Sequence, residues 1–247
     1  MFLRLAQTGS APAQHELARL LIGGHGTKKN EPQAFVWCKK SATQGYVPAE
    51  FELGRMYEDG IGTHDDISEA VRWLQLASAH GSALAAYELS GICSAEAGGP
   101  AGGEKEFERY LQLACERGNS DAMERLGDLY RNGQFGPSPK KDFKSALKWY
   151  QKAAEIGNKE SIFKAAILLD SGGFGLAHDR KAAAAEYDRS LKLGLNYFGA
   201  ASRLADMYHT GDGVQKNEKL SLRYRQLAEK FSKNDDSINR GMLTDTR

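Results

Sequence analysis

The sequence predicts an all-α protein, a right-handed α–α superhelix of about six helix-turn-helix repeats. Three observations predict it: a motif returning every 36–39 residues, glycine pairs at a fixed place after it, and a second helical pattern closed by one more glycine. The motif is plainest in Ala49–Tyr57, Ala122–Tyr130 and Ala200–Tyr208, with weaker copies starting at Ala13, Ala85 and Ser161. Each copy has a small residue, an apolar residue four later, usually a small one at five, and an apolar pair at seven and eight. Apolar positions at i, i+4, i+7 and i+8 share one face of an α-helix, and the small residue lets another helix approach. This is helix A.

Its end is written in glycine: Gly24/Gly26, Gly60/Gly62 and Gly211/Gly213 stand at equivalent places, with Gly133/Gly136 and Gly172/Gly173/Gly175 in longer versions. Glycine there ends a helix and turns the chain through left-handed dihedrals. A second helix, B, follows in Ala34-Trp37-Ser41-Ala42-Gly45, Ala70-Trp73-Ala77-Ser78-Gly81 and Ala146-Trp149-Ala153-Ala154-Gly157, where the spacing is again helical and the glycine sits just past the end. Pro12 and Pro48 each precede helix A by one residue, and Pro32 stands near the start of a helix B, where a missing N–H costs least. The recurring tryptophans are expected in the core between repeats.

These boundaries divide the chain into an N-terminal half-repeat or cap at 1–12, six repeats at 13–48, 49–84, 85–121, 122–160, 161–199 and 200–231, and a polar tail at 232–247 that is expected to fray. Copy three is the least regular, with Ser90-Gly91 inside helix A and a glycine-rich stretch from Ala97 to Gly103. Glycine inside a helix costs about 1 kcal/mol relative to alanine, so a compliant joint is expected over 90–104.

Composition narrows the function. The 33 basic and 32 acidic residues leave a net charge of +1, without the basic excess that phosphate contacts require, so no nucleic-acid partner is expected. No apolar run reaches the length of a membrane helix, and the short apolar start is not a signal peptide. Cys38, Cys93 and Cys115 form an odd set with no C-x-x-C, which favours a reducing compartment and a cytoplasmic chain. The six histidines fall in different repeats without i, i+4 pairing, so no metal is expected. Ser138/Lys141, Ser145/Lys148 and Ser161/Lys164 have the S-x-x-K spacing of penicillin-recognising enzymes, but the accompanying S-D-N and K-T-G elements are absent, as are a P-loop, G-x-S-x-G and H-E-x-x-H. The expectation is a protein without catalysis or cofactor.

The run Leu53-Gly54-Arg55-Met56-Tyr57 matches the L-G-x-x-Y core of the tetratricopeptide repeat, but the period is longer than 34. With the G-x-G loop and A-x-x-W-x-x-x-A-A-x-x-G it resembles the Sel-one-like repeat (SLR), a tetratricopeptide relative, over about residues 13 to 231. The resemblance implies an adaptor or scaffold that binds another protein or peptide. An immunity or inhibitor protein occluding a toxin's active site is the alternative. Its inter-repeat disulfide is not carried over, because the position seven after Cys115 is Ala122.

Placing tetratricopeptide groove positions on this frame gives two columns on the concave side. One holds His15, Phe51, Tyr87, Glu124, Phe163 and Ser202; the other holds Arg19, Arg55, Gly91, Asp128, Ile167 and Asp206. The expected partner site is Phe51, Tyr87 and Phe163 as anchors, with Arg19 and Arg55 at one end and Asp128 and Asp206 at the other orienting a ligand.

Overall fold

The computed structural model describes residues 2–94, 103–136, 140–195 and 197–242. Among these residues it has thirteen helices and no strand: α1 (Phe2–Gln7), α2 (Ala11–Gly23), α3 (Glu31–Ala42), α4 (Val47–Glu58), α5 (Ile67–Ala79), α6 (Ala83–Ser94), α7 (Glu104–Glu116), α8 (Ser120–Asn132), α9 (Phe143–Glu155), α10 (Lys159–Ser171), α11 (Arg180–Lys192), α12 (Phe198–Thr210) and α13 (Glu218–Met242). The even-numbered helices from α2 are A helices and the odd-numbered ones from α3 are B helices. The chain forms two compact units, Met1–Ala122 and Met123–Arg247. Within the first unit α2 packs on α3, α4 on α5 and α6 on α7, while α3 and α5 also pack on the A helix that follows; α10 to α13 repeat the scheme in the second.

One connection recurs in five copies. The residue before helix B is Asn30, Asp66, Asp142, Asp179 or Asn217, and its side chain accepts the N–H of Gln33, Glu69, Ser145, Ala182 or Leu220. The same five residues donate their own N–H to the carbonyls of Leu21, Tyr57, Tyr130, Leu169 and Tyr208, near the end of helix A, at 2.8–2.9 Å. Each side-chain cap contributes about 1 kcal/mol. The backbone bond closes the A–B hairpin from the other side. In copy three the position is Gly103, which has no side chain to cap α7.

Small residues set the helix separations. A Cβ on Gly54 would stand 2.8 Å from Leu74, and one on Gly127 would stand 2.5 Å from the Tyr150 ring, so helix B lies directly on the small position of helix A. The first unit's core gathers Leu17, Leu21, Cys38, Leu53, Met56 and Tyr57, and the second gathers Tyr150, Leu168, Tyr187, Leu204 and Met207.

Three expectations need correction or restriction. The tryptophans lie at the edge of the core: Trp37, Trp73 and Trp149 are only half-buried, and Lys40 and Lys152 lie over Trp37 and Trp149 at 4.5 and 4.3 Å. The next residue, turned about 100° further round the helix, is the one that enters the interior, and Cys38, Leu74 and Tyr150 are all fully buried. Helix α6 continues unbroken through Ser90-Gly91 to Ser94, and residues 95–102 of the expected joint lie outside the described residues. Helix α13 runs to Met242, past Phe231 where the repeat pattern stops and through a stretch expected to fray.

The second glycine of the G-x-G loop touches the preceding repeat. At Gly62 the backbone has φ +72°, and a Cβ would lie 2.2 Å from the Glu31 carbonyl oxygen at the start of α3; at Gly26, with φ +71°, it would meet nothing within 4 Å. Gly26→Ala is therefore expected to cost only the left-handed penalty of about 1–2 kcal/mol, and Gly62→Ala distinctly more. Thermal unfolding followed by circular dichroism compares the two, and equal losses would show that the inter-repeat contact can yield.

Candidate protein-binding face

The predicted columns fall on the A helices, and the two units treat them differently. In the first unit a cavity of about 370 Å³ is lined by His15 and Arg19 of α2, Val47, Pro48, Phe51 and Glu52 of α4, and His80, Gly81, Ser82 and Leu84 around the start of α6. Three successive A helices thus contribute to its walls. Leu84 is 53% exposed, a large apolar side chain at the rim, while His15 is only 7% exposed. The His15 ring meets Tyr46 edge-on at 5.6 Å, and burial holds its pKa below the usual value against the opposing pull of Glu52 and Glu16. Its imidazole is neutral at pH 7 and presents one donor and one acceptor.

A buried carboxylate held by a histidine supports this wall. Glu50 is fully buried, and both its oxygens meet His80 Nδ1 at 2.9–3.0 Å. Arg117, just past α7, donates to the Ser78 and Ser82 carbonyls and ties the α5–α6 turn that carries His80.

Of the predicted residues, Arg19 and Phe51 meet in this cavity. Arg55 is exposed and pairs with Asp59 of its own turn at 3.7 Å; Tyr87 is half-buried on α6. Arg19 pairs with Glu16, one turn away, at 3.1 Å.

In the second unit the columns are engaged internally. Asp128 accepts the Tyr150 hydroxyl at 2.6 Å and the Lys164 ammonium at 2.7 Å, and Lys164 also bonds Glu124. Burial lowers the Lys164 pKa, but Asp128 and Glu124 together raise it above the usual lysine range. Phe163 stacks on Tyr197 with ring centres 4.3 Å apart, which closes its face. One repeat on, Arg203 grips Asp170 with two bonds at 2.6 and 2.7 Å. Asp206 alone of the predicted residues here is exposed, on α12.

Sequence reasoning missed the residue that decides between these arrangements, three positions after the start of each helix A. The sequence has Glu16, Glu52 and Glu88 there in the first three copies and Arg125, Lys164 and Arg203 in the last three. The signal was present as a change of sign, one position away from the column chosen. Among the described residues no group of His, Cys, Asp and Glu could hold a metal, and no helix is long and apolar enough to cross a membrane. Cys38, Cys93 and Cys115 are buried.

Hairpins locked in series, with a face built from successive A helices, define a helical-repeat solenoid of the kind that mediates protein–protein interaction. The Sel1 repeat matches residues 11–46, 47–82, 108–119, 120–158 and 199–229, and the chain belongs to this family. Sel1 repeat proteins generally mediate protein–protein interaction as non-enzymatic scaffolds. The chain is 30% identical over 133 residues to the chitin synthase regulator SKT5 of Saccharomyces cerevisiae, covering 50% of this chain and 18% of that one. Among solved structures, c5321, a protective antigen of uropathogenic Escherichia coli with an SLR fold, is 30% identical with a TM-score of 0.79, covering 93% of this chain and 48% of that one. A Sel1 repeat protein of Oxalobacter formigenes is 25% identical with a TM-score of 0.70 over 90% of this chain and 89% of its own. The immunity protein PA5088 of Pseudomonas aeruginosa, 19% identical with a TM-score of 0.51 over 92% of this chain and 83% of its own, shares the fold.

Lys164 has 17% of its side chain exposed and faces two carboxylates, whereas Arg19 has 60% exposed. Lys164→Met is expected to lower stability by about 1–3 kcal/mol, since it leaves Glu124 and Asp128 crowded without their cation, and Arg19→Met by no more than about 0.5 kcal/mol. Urea unfolding of the two variants measures the difference.

Proposed function

We propose that the protein is a non-enzymatic scaffold that holds a segment of another protein on the A-helix face of its first unit, with Phe51 and Leu84 as apolar contacts and Arg19, Arg55 and Tyr87 around them. The observation that carries this reading is the cavity where three A helices bring His15, Phe51 and Leu84 together. A large apolar side chain left 53% exposed at the mouth of a cavity is the kind of surface that partner binding covers. The yeast relative is named a regulator of a synthase, a role that a protein without catalysis can perform by binding. In the second unit, Asp128 and Phe163 already have partners within the fold, so Asp206 is the column residue there with a free surface to offer.

The test is to capture a partner from the source cell, produce it pure, and titrate it against the wild-type chain and Phe51→Ala/Leu84→Ala. The double variant should bind at least about tenfold more weakly, corresponding to about 1.4 kcal/mol or more, with an unchanged thermal midpoint. Equal affinities would move the binding site off this face. Stoichiometric loss of an enzymatic partner's activity would identify the binding as inhibition.

A further inference from the structure

The first unit's A-helix face carries unbalanced charge. Apart from the buried Glu50, α2, α4 with its capping Asp59, and α6 bear five carboxylates, Glu16, Glu52, Glu58, Asp59 and Glu88, against two cations, Arg19 and Arg55. Both arginines are already engaged, by Glu16 and Asp59. Among the described residues no cation stands within ion-pair distance of Glu52, Glu58 or Glu88. The Glu58 carboxyl is pushed up by burial and then by Glu88 and Asp59, against the smaller pull of Arg55. Carboxylates on two adjacent A helices therefore repel each other across this face.

The second unit meets the same geometry with Lys164 and Arg203, which cover the carboxylates of the preceding A helix from within. In the first unit Glu52 and Glu88 occupy the register of those cations, so the neutralising charge has to come from outside. An independent observation marks the same place. The His15 ring, on a residue 93% buried by the measure of its 7% exposure, lines the cavity with no hydrogen-bond partner among the described residues. Its ring nitrogens are not sealed off from solvent and so remain open to a donor or acceptor brought into the cavity.

We infer that the face binds a basic segment of a partner protein, with a large apolar side chain seated between His15, Phe51 and Leu84 and lysine or arginine side chains set against Glu52, Glu58 and Glu88. The His15 imidazole then bonds the segment's backbone. The carboxyl-terminal ends of α4 and α6 strengthen the preference, since helix C-termini favour cations. This reverses the polarity expected from Arg19 and Arg55, and it rests on the preceding reading that the face is the binding surface.

A display library of randomised short peptides, selected on the full chain, tests it. Enriched sequences should combine one Leu, Met or Phe with two or more Lys or Arg, and the synthesised winner should bind about tenfold more weakly to Glu52→Gln/Glu58→Gln/Glu88→Gln, with a similar loss near 0.5 M salt. Glu155→Gln, an exposed carboxylate in the second unit, should leave its affinity within about twofold, separating this face from net charge. The triple variant removes repulsion, so its thermal midpoint should not fall. Acidic or neutral winners, or basic winners indifferent to the triple variant, overturn the inference. Winners that are lost on Phe51→Ala/Leu84→Ala but not on the triple variant leave the binding face standing and remove its basic preference; winners indifferent to both, or no enrichment, overturn both.

Discussion

The structure depends on the lock at the start of five of its B helices. A helical hairpin has two sets of unsatisfied groups where it turns, the last carbonyls of one helix and the first N–H groups of the next. Asn30, Asp66, Asp142, Asp179 and Asn217 serve both, donating backbone N–H to helix A and accepting helix B's N–H on the side chain. A single residue thus fixes where one helix stops, where the next begins and the distance between them. The helix–helix contacts at Gly54/Leu74 and Gly127/Tyr150 need that fixed distance, because neither leaves space for a methyl group.

Stacking then distributes strain between repeats. In a solenoid each repeat meets only its neighbours, so stability is a sum of local units and the interfaces between them. Gly62 against Glu31 and Gly213 against Arg180 are such interfaces, where loop backbone lies on the first turn of the preceding helix B. Ion pairs on the A-helix side are optional by comparison. Where Lys164 and Arg203 supply them, the face is satisfied within the fold; where Glu52 and Glu88 stand instead, it keeps an open cavity and uncompensated negative charge. One change of sign at one repeat position decides whether this face is neutralised within the fold or left with unpaired carboxylates.

Much of this was legible in the residues. Period, glycine loops and alternating helix patterns implied the hairpins, because helix faces and turn dihedrals are local properties. Phe51 and Arg19, expected on A helices, stand on α4 and α2 and meet in one cavity. The loss of Asp128 and Phe163 to internal contacts was not legible, since Lys164 lies 36 residues from Asp128 in sequence, and Tyr197 reaches Phe163 from the turn before α12. The tryptophans misled for a related reason: their size suggested the interior, yet a shift of one residue along a helix rotates the side chain by about 100°, and the smaller neighbour is the one that faces inward.

The sequence by itself determined that the protein is a series of helical hairpins, which residues end most of the helices, and that no familiar catalytic constellation is spelled out along the chain. Those properties follow from periodicity and from the backbone preferences of glycine, proline and the capping side chains. Tertiary structure decided which polar and aromatic residues remain available. A charge becomes a binding group or a structural one according to whether a neighbouring repeat brings an opposite charge within a few ångströms, and only the stacked chain sets that distance.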